Sequence, residues 1–68
     1  MRIAVIGSGG REHSICEKFY EANSVTNIFC IPGNGGTSKI AKNIDIDIKN
    51  FEEIKTFLIN NKIDFTVV

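Results

Sequence analysis

Seven consecutive residues, Gly7-Ser8-Gly9-Gly10-Arg11-Glu12-His13, follow directly on the apolar run Ile3-Ala4-Val5-Ile6. A short buried strand, a glycine turn and a helix start together make an anion site. Glycines let the backbone turn with φ > 0 and place no Cβ in front of a ligand. The unpaired N–H groups and positive dipole end of the following helix favour a phosphate or carboxylate. A second glycine-rich cluster, Pro32-Gly33-Asn34-Gly35-Gly36-Thr37, follows another apolar stretch, Thr26 to Ile31. Asn34 and Thr37 carry groups that could hydrogen-bond ribose or phosphate oxygens, and both also suit turn and N-cap roles.

The elements that must hold these loops are legible from spacing. Residues 2–6 read as a strand bounded by Gly7. From Arg11 to about Ala22, Ile15, Cys16, Phe19 and Ala22 recur at helical spacing, with Ser14, Glu17, Lys18 and Glu21 on the other side. Thr26 to Ile31 is a second strand, residues 38–42 suit one helical turn, and Asn43 to Lys49 suits an extended connection or short edge strand. Asn50 reads as an N-cap with Glu53 three residues on. Phe51, Ile54, Phe57 and Leu58 form the expected buried face, and Asn60-Asn61 the expected left-handed C-cap. Asp64 to Val68 is the third strand. This alternation predicts an α/β parallel sheet with right-handed crossovers, a Rossmann-like or flavodoxin-like half, with the strand order left open.

In a parallel sheet the loops after strands 1 and 2 leave by the same carboxyl edge, where such folds bind ligands. A dinucleotide site is disfavoured there. Its fingerprint needs a third small residue where Glu12 stands, and an acidic residue ending strand 2 where Ile31-Pro32-Gly33 stands. A Walker-type P-loop is excluded, because no Lys-Ser or Lys-Thr follows the glycines. A cradle for a small phosphate remains.

Composition narrows the class. The 68 residues are 43% apolar and 24% charged with formal net charge zero, which predicts one small soluble domain. Zero net charge gives no basis for broad binding to nucleic acid or anionic membrane. No apolar run nears the roughly 18 residues of a membrane span. The entry from Met1-Arg2 into a strand without a leader's apolar region, and two cysteines without metal or disulfide spacing, predict the cytoplasm. The final strand-like residues, with no loop after them, point to a longer parent.

The motifs Gly-Ser-Gly-Gly-Arg-Glu-His at 7–13, Pro-Gly-Asn-Gly-Gly-Thr at 32–37 and Asp-Phe-Thr-Val-Val at 64–68 occur in this order and spacing. The chain thereby resembles the N-terminal domain of the phosphoribosylamine–glycine ligases, also called glycinamide ribonucleotide synthetases. Asn43-Ile44-Asp45-Ile46-Asp47 and the Phe51-centred helix resemble that family too, so the likeness covers essentially the whole chain. It implies an incomplete three-layer Rossmann-like (pre-ATP-grasp) domain over residues 1–68, with the ATP-grasp and C-terminal domains lying beyond it. It also implies a parent ligase of purine biosynthesis that joins glycine to 5-phosphoribosylamine using ATP and Mg²⁺ or Mn²⁺. The glycine carboxylate is activated as an acyl phosphate, which the ribosyl amine attacks. ATP and metal would be held outside this segment, which alone should be inactive. The segment would bind the ribose phosphate through Gly7, Ser8, Gly9, Gly10, Arg11, Glu12, His13, Pro32, Gly33, Asn34, Gly36 and Thr37. No catalytic or metal-binding residue is expected here. Ser14 and Gly35 stand where the family often has alanine, and both replacements are small.

Other readings stand beside these. Gly7, Gly9 and Gly10 could form a tight turn without a ligand. Arg11 could clamp phosphate or be a surface residue, although a cation there opposes the helix dipole. Glu12 could be only a favourable first-turn acid. His13, the sole histidine, could orient the loop or act on substrate, but is not a metal ligand. Cys16 and Cys30 read as small buried hydrophobes, and Lys39, Lys42 and Lys49 as solvated charge. Asp45 and Asp47 read as one exposed face. The alternative function is a non-catalytic phosphate- or nucleotide-binding module; an NAD-type oxidoreductase domain is weaker still.

Overall fold

The computed structural model describes all 68 residues. Its elements are β1 (Arg2–Gly7), α1 (Gly10–Glu21), β2 (Asn27–Pro32), a 3-10 turn (Thr37–Lys39), β3 (Lys42–Asn43), α2 (Phe51–Asn60) and β4 (Phe65–Val67). The four strands form one sheet in the order β3-β2-β1-β4. Every pairing is parallel, with Ile3 opposite Ile28 and Phe65, and Val5 opposite Cys30 and Val67. The chain steps outward from β1 through β2 to β3, then returns to place β4 on the other side of β1. The carboxyl ends beside β1 are thus the point where the strand order reverses, the usual ligand crevice of an open α/β sheet.

The apolar alternation of the strands divides the core between two faces. Ile3, Val5, Cys16 and Cys30 are fully buried on the α1 side, with Ile15, Phe19, Ile28 and Val67 packed around them. Ile31, Ile46 and Ile54 lie on the α2 side with Ile6, Phe57 and Leu58. The rings of Phe29 and Phe57 meet edge to face at 5.4 Å between centroids. Helix, sheet and helix therefore make three layers, the Rossmann-like arrangement expected. β1 reads as a continuous apolar run because both its faces are covered. Each fully buried Ile or Val contributes roughly 1.5–3 kcal/mol.

At the opposite edge, Arg2 stitches three elements. Its Nε donates to the Asn61 carbonyl at 2.6 Å, a terminal nitrogen donates to Asn27 Oδ1 at 3.0 Å, and the guanidinium lies over the Phe29 ring. Its backbone N–H donates to Asp64 Oδ2 at 2.7 Å, which sets the start of β4.

Four expectations change in detail. The sheet has four strands, because the short edge strand, one of two readings for Asn43 to Lys49, forms at the start of that stretch, Lys42–Asn43 pairing with Phe29 and Cys30. The helical turn spans Thr37–Lys39 where residues 38–42 were expected, starting one residue earlier and ending three earlier. The left-handed residue after α2 is Lys62, with φ 52°, and neither Asn60 nor Asn61. Asn61 caps the helix at φ −98° and ψ 7°, its side-chain amide donating to the Phe57 carbonyl. The turn closes through Lys62 N–H to Ile59 O and Ile63 N–H to Leu58 O, a Schellman arrangement. Phe51 shares a helical face with Ile54 and Leu58 but is 77% exposed, because no other element of these residues lies over the first turn of α2. The Asn50 cap forms as expected: its Oδ1 accepts from Glu53 N–H, and its amide donates to the Glu53 carboxylate.

Candidate functional site

Both glycine-rich loops leave the carboxyl edge of the sheet side by side, since Gly7 is opposite Pro32 in the β1–β2 register. Gly33 N–H donates to Gly7 O at 3.1 Å and carries the pairing one residue further. Pro32 follows a cis peptide bond. The sharp turns fall on Gly7, with φ 141°, and Gly33, with φ 77°.

In the first loop the Glu12 side chain decides the geometry. Its Oε1 accepts from Gly9 N–H at 2.9 Å, and its Oε2 pairs with Arg11 Nε at 2.9 Å. A Cβ on Gly7 would lie about 2.5 Å from Glu12 Cγ, so the carboxylate folds back into the room that Gly7 leaves. Glu12 is buried, whereas the Arg11 side chain is 64% exposed with the rest of its guanidinium free of protein partners. The first intrahelical bond at this end is His13 N–H to Gly9 O, which leaves the N–H groups of Gly10, Arg11 and Glu12 without protein acceptors. Ser8, Gly9 and Gly10 are exposed. His13 lies 3.9 Å from Glu17 through its Nε2 and places its ring edge where a Cβ on Gly36 would come within 2.8 Å.

The second loop is wired internally. Asn34 Oδ1 accepts from the N–H groups of Gly36 and Thr37, and Thr37 Oγ1 accepts from Asn34 N–H at 2.8 Å. Asn34 Nδ2 then reaches across to the first loop, donating to Ser8 O at 2.6 Å, with Gly9 O at 3.4 Å. Thr37 is fully buried. The twelve residues singled out from sequence thus lie in two neighbouring segments at the strand ends, joined by the Gly33–Gly7 backbone bond and by the Asn34 amide. Within the group, Glu12, Asn34 and Thr37 have their polar atoms committed to shaping the loops. Gly10, Arg11 and the helix end present free donors.

Beneath the loops, the Cys30 thiol donates to Gly7 O at 3.5 Å. Burial raises its pKa, opposed by hydrogen bonding with Cys16 and Thr37. Burial also pushes Cys16 up to about 12, with the neighbouring Cys30 adding to the rise. Both remain neutral thiols at physiological pH, and neither is a nucleophile for this site.

Two further features were not among the sequence-derived site residues. Asn43, on β3, hydrogen-bonds both Thr37 and Asn34. Its sequence signal is slight: one amide opening an alternating segment that reads as a connection or short edge strand. An open concavity of about 630 Å³ lies on the outer side of β2, lined among others by Thr26, Asn27, Lys39 and Lys42. It sits against the β3 edge and does not include Gly7–His13, so we take the paired loops, with their free donors, as the candidate site.

A parallel three-layer α/β sheet bearing two linked glycine-rich loops at its carboxyl edge defines a Rossmann-like fold class. Within that class, residues 1–68 match the family described as "Phosphoribosylglycinamide synthetase, N domain", and the chain belongs to it. Curated relatives named phosphoribosylamine–glycine ligase include one from Clostridium acetobutylicum, 47% identical over 68 residues. Others are 41% identical in Caldanaerobacter subterraneus and 34% identical in Nostoc sp.. Each alignment covers 100% of this chain and 16% of the relative, so the chain spans about one-sixth of their length. No helix is long and apolar enough to cross a membrane.

Proposed function

We propose that this chain is the ribose-phosphate-binding N-terminal part of a phosphoribosylamine–glycine ligase, an ATP-dependent carbon–nitrogen ligase of purine biosynthesis in the cytoplasm. Its parent joins glycine to 5-phosphoribosylamine to give glycinamide ribonucleotide. The observation that carries the reading is the Asn34 amide bonded to Ser8 O, which fastens the second loop to the first beside free N–H donors. A phosphate meeting Gly10, Arg11 and Glu12 N–H groups gains hydrogen bonds and the favourable end of the α1 dipole. Arg11 adds a guanidinium whose orientation is set by Glu12 through Nε, leaving its outer donors for an anion. The ribose would then lie toward the Asn34 and Gly36 side of the crevice.

These residues contain no grouping of three or more His, Cys, Asp or Glu suited to a metal. By the family likeness, ATP and its Mg²⁺ or Mn²⁺ would be held by the rest of the parent, where they would supply phosphoryl activation of the carboxylate. This segment contributes binding and orientation, and by itself is expected to be inactive. Its partners are the small substrates, with no role for nucleic acid or membrane.

Calorimetric titration of the full-length ligase with glycinamide ribonucleotide tests the assignment. Gly9→Val and Gly36→Val should each weaken binding at least about tenfold, equivalent to about 1.4 kcal/mol. Gly35→Ala should leave it unchanged, since a Cβ there meets nothing within 4 Å. Unaltered affinity in both valine variants would remove the loops from the site.

A further inference from the structure

Asn43 stands outside both loops, yet it completes the second. Its Oδ1 accepts from the Thr37 hydroxyl at 2.7 Å, and its Nδ2 donates to the Asn34 carbonyl at 2.7 Å. The Thr37 hydroxyl is also 3.0 Å from that carbonyl but has one proton, which goes to the nearer Asn43 oxygen. An amide alone satisfies both partners. Aspartate would set oxygen against the Asn34 carbonyl oxygen, and an aliphatic residue would remove both bonds, leaving the fully buried Thr37 hydroxyl only the Asn34 carbonyl and releasing the loop from β3. The Asn43 side chain also fills the space beside Gly33, where an added Cβ would collide with it. Through these contacts β3 holds Asn34 and Thr37. Asn34 in turn caps the Thr37 turn and grips Ser8 O.

We propose that Asn43 is a positioning residue for the ribose-phosphate site, holding the second loop so that Asn34 clamps it onto the first in the geometry that receives the ligand. The inference rests on the assignment of the two loops to the ribose phosphate. Asn43 touches no ligand in this scheme. It removes the ordering cost that binding would otherwise carry.

The test uses the full-length ligase with Asn43→Asp. KM for 5-phosphoribosylamine and the dissociation constant for glycinamide ribonucleotide should rise about tenfold. The KM values for ATP and glycine, and kcat, should stay within about twofold. A merely structural asparagine would lower kcat by reducing the active fraction while every KM stayed constant, and that result overturns the proposal. If Asn43→Asp fails to fold, Asn43→Ala removes both hydrogen bonds without adding a buried charge and carries the same expectation, so an unchanged KM for the ribosyl amine overturns it equally. Gly9→Val separates the two ideas. Weakened binding there with normal affinity in Asn43→Asp rejects only the positioning role. Normal affinity in both Gly9→Val and Gly36→Val rejects the site and the role together.

Discussion

Glu12 occupies the helix position that a dinucleotide-binding turn keeps small, and its carboxylate takes the space beneath Gly7. One oxygen satisfies Gly9 N–H and the other holds Arg11, so a single acid both shapes the turn and aims a cation. That arrangement lets a cation sit at a helix N-terminus, where the dipole alone would oppose it. The paired thiols beneath the turn give a residue-level prediction. Unfolded Cys16 ionises near its ordinary 9.0, whereas the folded thiol is pushed up to about 12, chiefly by burial. The native state keeps a proton that the unfolded state releases. The contribution is therefore complete below pH 9 and is lost as pH rises from 9 toward 12, at up to about 1.4 kcal/mol per pH unit. Urea midpoints measured at pH 8, 10 and 11 should fall more steeply than in Cys16→Ala. Parallel slopes would contradict the burial of this thiol.

At the level of elements, α2 is capped well at one end and at a cost at the other. Asn50 and Glu53 satisfy each other at the start. At the finish, Lys62 holds the left-handed conformation that a side chain resists. Lys62→Gly should relieve that strain, less what glycine adds in unfolded-state entropy, and stabilise the chain by about 0.5–1 kcal/mol. Chemical denaturation checks the sign, and a loss of stability would show that the lysine side chain contributes more than its backbone costs. The expected asparagine cap failed for a local reason: Asn61 has a better use for its amide on the Phe57 carbonyl. The two loops show the same competition resolved in favour of tertiary contact, with Asn34 serving as both turn former and crosslink.

For the whole molecule, nine buried apolar residues make a small core, and Phe51, Ile59, Phe65 and Val68 stay largely exposed along α2 and at the end of the chain. Four parallel strands also leave the outer side of β4 unpaired within these residues. The 68-residue chain by itself should therefore be marginally stable, melting below about 65 °C. A cooperative calorimetric transition well above that temperature would contradict the accounting.

The order of strands and helices, the two glycine turns between them and the Asn50 cap were legible in the linear chain. Apolar period, Gly/Pro punctuation and capping chemistry act over a few residues, so each can be read within its own window. The family likeness was legible too, because the motifs lie far apart and keep their order. The strand order, the two-residue β3, the exposure of Phe51 and the grip of Asn43 on the second loop came only with the tertiary structure. Each depends on which distant backbone groups and surfaces meet, and one amide beside an alternating segment announces no partner. The amino-acid sequence by itself determined that two glycine turns would emerge at one sheet edge. The folded chain decided that they are fastened together, because Asn34 reaches Ser8 only when β1 and β2 lie side by side in register.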